Sequence, residues 1–128
     1  MADSEKITIN LNAVDLGKID LLVQEGLYTN RTDFIRSAIR SQIDKHQIEV
    51  QQAVSRYSYQ IGIIGYNKAD LERYIANGEK IHTTVIGLLH LSSDITPELA
   101  SEAIESVRVR GVFEASDAVK TALADRMK

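Results

Sequence analysis

Polar and apolar residues alternate from Lys6 to Leu11, with Lys6, Thr8 and Asn10 on one side and Ile7, Ile9 and Leu11 on the other. A period of two predicts a strand with one buried face. The period then changes. From Asp15 to Glu25 the apolar residues Leu16, Ile19, Leu22 and Val23 recur at three- and four-residue intervals, which predicts an amphipathic helix. Gly26 follows where a helix closes in the left-handed conformation that glycine accepts cheaply. Thr29-Asn30-Arg31-Thr32-Asp33 is a new helix start, and Phe34, Ile35, Ala38, Ile39 and Ile43 predict a second helix ending near His46. Either Thr29 or Asn30 is expected to cap it.

One strand and two helices in about forty residues hold too little core to fold alone. The strand also has two unpaired edges, which invite pairing with another chain. Two copies solve both problems by pairing their strands antiparallel above four helices. The KITINL strand, the Gly26-Leu27-Tyr28 turn and the run N-R-T-D-F-I-R-S-A-I-R together resemble the ribbon-helix-helix DNA-binding proteins, the class of the CopG, Arc and MetJ repressors. The resemblance covers roughly the first third of the chain.

That resemblance implies an intertwined homodimer and double-stranded DNA as partner. It implies that Lys6, Thr8 and Asn10 read bases, since a two-stranded ribbon fits the major groove. Lysine can donate to guanine, asparagine can pair with adenine, and threonine offers a hydroxyl and a methyl. Asn30, Arg31 and Thr32, at the start of the second helix, are then the phosphate contacts, because helix N-termini bind anions. A merely capped helix would show the same residues, so the sequence leaves capping and clamping open together. Arg36 and Arg40 are assigned to the general field or to pairing with acids.

Beyond Gln47 the pattern is less regular. Residues 48–57 are largely polar, with isolated Val50 and Val54, and read as a linker or an extension of the second helix. From Tyr59 onward, β-type runs carrying one glycine each alternate with helix-type runs. Tyr59–Ile64 with Gly62 precedes a helix over Lys68–Asn77. Thr83–Leu91 with Gly87 precedes Pro97–Ile104, and Val107–Phe113 with Gly111 precedes Ser116–Met127. The glycines stand 25 and 24 residues apart. Thr96 before Pro97 and Ser116 are expected helix caps.

The fold class is therefore α+β: a ribbon-helix-helix domain over 1–47, a joint over 48–57 and a small α/β domain over 58–128. The α/β domain reads either as three β-α repeats of about 24 residues in solenoid style, or as a compact sandwich with regular spacing by chance. Its expected role is oligomerisation or sensing.

Charge changes the picture in one respect. Fifteen Lys and Arg against eighteen Asp and Glu give −3, and residues 1–46 alone carry six against seven. A DNA binder usually shows a basic footprint, so positive surface must arise here by sorting charges onto faces. A shallow salt dependence is then expected. Hydrophobic residues at 44% and charged residues at 26% read as an ordinary globular protein. No apolar run of eighteen exists, and the polar first five residues, expected to be loose, do not resemble a secretory signal. The expected location is cytoplasmic.

Candidate chemistry is sparse. There is no cysteine, which excludes disulfides and thiolate chemistry. The nickel-responsive regulator of the same superfamily uses several histidines and a cysteine in its second domain. Here only His46, His82 and His90 occur, and eight strand positions hold the last two about 26 Å apart. No metal or cofactor is expected. Neither a glycine-rich phosphate loop, nor a nucleophile elbow, nor an HExxH motif is present, so no enzymatic activity is expected. Arg108 and Arg110 share one strand face, where they either face solvent or form an anion patch. The expected function is a sequence-specific transcriptional regulator, a repressor on a pseudo-palindromic operator. An antitoxin and a scaffolding protein that uses the ribbon only to dimerise are the alternatives.

Overall fold

The computed structural model describes residues 4–127, so residues 1–3 of the stretch expected to be loose, and Lys128, lie outside the described residues. In chain order the elements are α1 (Ala13–Gln24), α2 (Arg31–Lys45), α3 (Gln47–Tyr57), β1 (Gln60–Tyr66), α4 (Lys68–Ala76), β2 (Ile81–Leu91), α5 (Pro97–Ala103), β3 (Ile104–Glu114) and α6 (Asp117–Ala122). A 3-10 turn, Ala124–Arg126, follows. The chain divides into two compact units, Lys6–Gln52 and Ala53–Lys128, parting inside α3.

In the first unit, Asn12 begins α1, its side chain accepting from the Asp15 N–H at 2.8 Å. Gly26, at φ 84°, ends it: its N–H reaches the Val23 carbonyl at 3.0 Å and the Leu27 N–H reaches that of Leu22 at 3.1 Å. This double closure needs a left-handed residue after the cap, which is why glycine stands there. α2 ends at His46, and α3 starts one residue later. Gln47 to Tyr57 is therefore a separate helix, not an irregular linker.

Lys6–Leu11 forms no ladder in the single chain. A lone strand has no partner for its N–H and C=O groups, and its apolar residues Ile7, Ile9 and Leu11 stay 76, 61 and 42% exposed. The helices show the same want of cover. Val14, Leu21, Leu27, Ile39 and Ile43 are all exposed, and α2 buries none of its residues.

The second unit buries a core of its own. Its strands form one parallel sheet in the order β1-β2-β3, and parallel neighbours require crossovers of the length that α4 and α5 supply. Leu71 of α4, Ala100 and Ala103 of α5, and Val119 of α6 pack with Val85, Leu89, Leu91 and Val107 from one sheet face. Local signals set the helix starts. Asn67 and Asp70 exchange side-chain-to-backbone bonds at 2.9 Å, a capping box on α4. Thr96 accepts from the Leu99 N–H at 3.1 Å ahead of Pro97, and Ser116 accepts from the Val119 N–H at 3.2 Å.

Gly62, Gly87 and Gly111 fall in one row across the sheet, Gly62 opposite Gly87 and Gly87 opposite Gly111. All three have positive φ, 134°, 133° and 126°. A Cβ on Gly87 would meet the Gly62 carbonyl, and one on Gly111 the Gly87 carbonyl, both closer than 3.0 Å. Equal spacing along the chain becomes direct contact across the strands.

Strand limits differ from the hydrophobic pattern in one instructive place. Ile104, read as the end of a helix, is the first residue of β3 and is fully buried. Helix α5 therefore passes into β3 without a loop. The Arg126 Nη1 donates to the carbonyls of Ser101 and Ile104 and ties down that junction. The final helix-type run splits into α6 and the 3-10 turn at Leu123, which is buried. No helix among the described residues is long and apolar enough to cross a membrane.

Candidate nucleic-acid interface

The start of α2 is the best-formed polar site of the first unit. Asn30 has an extended backbone and its Oδ1 accepts from the Asp33 N–H at 2.8 Å, so Asn30, not Thr29, is the cap. The Asp33 carboxylate reaches back to the Thr29 N–H at 2.9 Å. The Phe34 N–H goes to the Asn30 carbonyl at 3.2 Å. Helix geometry leaves the N–H groups of Arg31 and Thr32 without an intrahelical acceptor. These two donors and the positive end of the helix dipole point the same way.

Arg31 has a second engagement that spacing alone did not reveal. Its Nε donates to Asp20 Oδ1 at 2.7 Å and its Nη2 to Oδ2 at 2.8 Å, a forked pair joining α2 to α1. The hydrogen bonds from Arg31 hold the Asp20 carboxyl below the usual carboxylate range, and the same bonds push the Arg31 guanidinium up. A guanidinium has five N–H donors, so the Nη1 amino group remains for another acceptor.

Arg36 and Arg40 belong to the same hollow, an outcome that the sequence reading does not anticipate. Together with Thr29, Asn30, Thr32 and Ser37 they line a depression of about 370 Å³ at the helix start. The signal lies in the spacing: Thr32, Arg36 and Arg40 recur every four residues and so share one helix face. Asp33 also lines the hollow and offsets part of this charge. Behind it, Tyr28 and Phe34 meet edge to face at 5.0 Å and brace the turn between the helices.

Lys6, Thr8 and Asn10 are exposed on alternate positions of the unpaired segment. Among the histidines, His46 ends α2. His82 Nδ1 lies 3.1 Å from Ser106 Oγ, and His90 Nδ1 lies 3.6 Å from Glu114 Oε1. The second and third stand at opposite ends of β2, too far apart to share an ion.

Residues 2–120 match the model of the ribbon-helix-helix transcriptional regulator family. The transcriptional regulator CdrS of Halobacterium salinarum is 33% identical over 42 residues, 33% of this chain and 76% of that protein. No solved structure matches. Membership therefore rests on most of the chain and not on the first helices alone, and the chain belongs to the ribbon-helix-helix family of DNA-binding transcriptional regulators.

Proposed function

We propose that the protein is a sequence-specific repressor that binds a pseudo-palindromic operator as a homodimer or a higher oligomer. The observation that carries this reading is the uncovered apolar side of Lys6–Gln52. Ile7, Ile9, Leu11, Leu21, Ile39 and Ile43 are all exposed in the single chain, far more than an isolated small unit can leave in water. Pairing Lys6–Leu11 with the same segment of a second copy covers that side and completes the strand ladder. The ribbon then presents Lys6, Thr8 and Asn10 to base edges in the major groove.

On either side of the ribbon, the backbone N–H groups of Arg31 and Thr32, with the Asn30 side chain, grip a phosphate. Asp20 takes two donors of Arg31 and leaves the Nη1 amino group for another acceptor. Arg36 and Arg40 add field from one turn and two turns further on. The family relative's description as a transcriptional regulator agrees with this reading. The three β-α units of Ala53–Lys128 act as a short repeat that joins dimers, so that neighbouring half-sites are filled together through raised effective concentration. The protein then acts in the cytoplasm, where its operator is.

The pairing is tested with Ile9→Asp in the full chain. A charge buried between two ribbons is costly, so the variant should sediment as a smaller assembly than the wild type, held only through the β-α units, and lose operator binding. A variant that still dimerises and binds as the wild type does would remove the ribbon from the account.

A further inference from the structure

The turn between α3 and β1 is strained, and the strain shapes a hollow. Ser58 has φ 55°, and among the described residues it is the non-glycine residue with positive φ. L-residues take that conformation only when their surroundings enforce it. Two hydrogen bonds do so: the Tyr59 N–H reaches the Val54 carbonyl at 3.1 Å, and the Thr84 hydroxyl donates to the Ser58 carbonyl at 2.7 Å. The result sets the rings of Tyr57 and Tyr59 6.1 Å apart at 69°.

Across from these rings lie Arg108 and Arg110 on β3, beside Thr84 and Ile86 of β2. Their neighbours Val85, Val107 and Val109 pack on the helix side of the sheet, so the arginines and Ile86 occupy the opposite face. The Arg108 guanidinium sits 5.9 Å from the centre of the Tyr57 ring. Ala53, Tyr57, Tyr59, Ile86, Arg108 and Arg110 line an open hollow of about 510 Å³, within the usual volume range for small-molecule sites. Among the described residues no carboxylate lines it, although the chain carries a net charge of −3.

We propose that this hollow binds a small planar anion, an aromatic ring bearing a phosphate or a carboxylate. Arg110 pairs with the anionic group through forked hydrogen bonds, and the Arg108 guanidinium adds positive charge beside it. The ring rests on Ile86 and Ala53 and stacks edge to face with Tyr59. A DNA backbone would use the arginines but not the apolar floor or the tyrosine walls, which is why the small ligand is the better fit. This site is independent of the ribbon and stands whether or not Lys6, Thr8 and Asn10 read DNA.

The test is titration of the full chain, followed by its melting temperature, with adenosine monophosphate and 4-hydroxybenzoate as ring-bearing anions. Adenosine and inorganic phosphate serve as the ring alone and the charge alone. At least one ring-bearing anion should raise Tm saturably where adenosine and phosphate at equal concentration do not. Arg110→Gln should weaken that binding about tenfold or more. It should leave the unliganded Tm unchanged, because Arg110 is exposed and among the described residues hydrogen-bonds to its neighbour's carbonyl, Val109, at 3.5 Å. Tyr59→Leu should weaken the ring-bearing ligand as well. The proposal is overturned if neither ring-bearing anion shifts Tm, or if phosphate alone matches them. It is equally overturned if Arg110→Gln titrates as wild type, including the case in which that variant loses only DNA affinity.

Discussion

Arg31, the first residue of α2, closes a forked ion pair on Asp20 of α1, with both N–O distances between 2.7 and 2.8 Å. The pair links the two helices on which the proposed phosphate site stands, yet both side chains are about half exposed, so its stabilising effect is small. Because the folded carboxyl is held below its ordinary range, its contribution is present at neutral pH and is lost as pH falls through the carboxylate range. Asp20→Asn should therefore lower Tm slightly at pH 7, and the gap to wild type should begin to narrow at about pH 4, the ordinary carboxylate value, and close only as pH falls through the lowered folded value. Thermal melts of both proteins across that range check it; a gap that persists in acid would mean the pair does not contribute in this way.

Capping and clamping at Asn30 separate with two substitutions. Asn30→Ala removes the acceptor for the Asp33 N–H and should cost about 1 kcal/mol of stability. Asn30→Asp keeps an acceptor and suits the helix dipole, so stability should hold. Its new negative charge should nonetheless lower DNA affinity by repelling phosphate. Denaturant unfolding and DNA titration on the same samples decide the matter; equal DNA affinity for Asn30→Asp and wild type would mean no phosphate lies there.

The glycine row allows sterics and backbone strain to be measured apart. An alanine at Gly62 meets open space but keeps a φ of 134°, so it should cost about 1–3 kcal/mol from strain alone. Gly87→Ala has nearly the same φ and also strikes the Gly62 carbonyl, which should add about another 1–3 kcal/mol. At Gly65 the added carbon makes ordinary contact, 3.7 Å from the His90 carbonyl, and the cost should be the smallest of the three. Chemical denaturation of the series should give that order. An equal cost at Gly62 and Gly87 would show that the strands move apart freely.

Much of this fold is legible in short-range signals of the sequence. Gly26 at the end of α1, Thr96 before Pro97, and Ser116 ahead of α6 all act within one turn of their own residue. The glycine spacing also carries across, because equal intervals in a parallel sheet become neighbours. What stays hidden depends on distance. Asp20 and Arg31 are 11 residues apart and meet only because the Gly26 turn folds one helix onto the other. Ser58 carries a left-handed backbone without being glycine, held there by Thr84 from another strand. Ile104 follows a helical pattern but joins β3, since burial beside Val107 outweighs local periodicity. The Lys6–Leu11 alternation describes a strand, yet a single chain gives it no ladder; in the proposed dimer its partner belongs to a second copy.

Removing residues 58–128 should leave a dimer that still recognises its operator, since the ribbon and both its helices remain. Binding to adjacent half-sites should become independent, lowering apparent affinity by one or more powers of ten as effective concentration is lost. Titrations of operators with one and two sites, with sedimentation alongside, report this. Unchanged cooperativity and stoichiometry would take the assembling role away from the β-α units.

The most direct measurement is binding of the purified protein to DNA upstream of its own gene, with a Lys6→Ala/Asn10→Ala variant beside it, near physiological salt and with excess competitor DNA. The account predicts tight binding to one fragment by the wild type. The variant should still dimerise yet lose that fragment by about three powers of ten or more, as expected for four lost base contacts per dimer at about 1 kcal/mol or more each. A variant that binds the same fragment as tightly as wild type would contradict the ribbon as the reading surface.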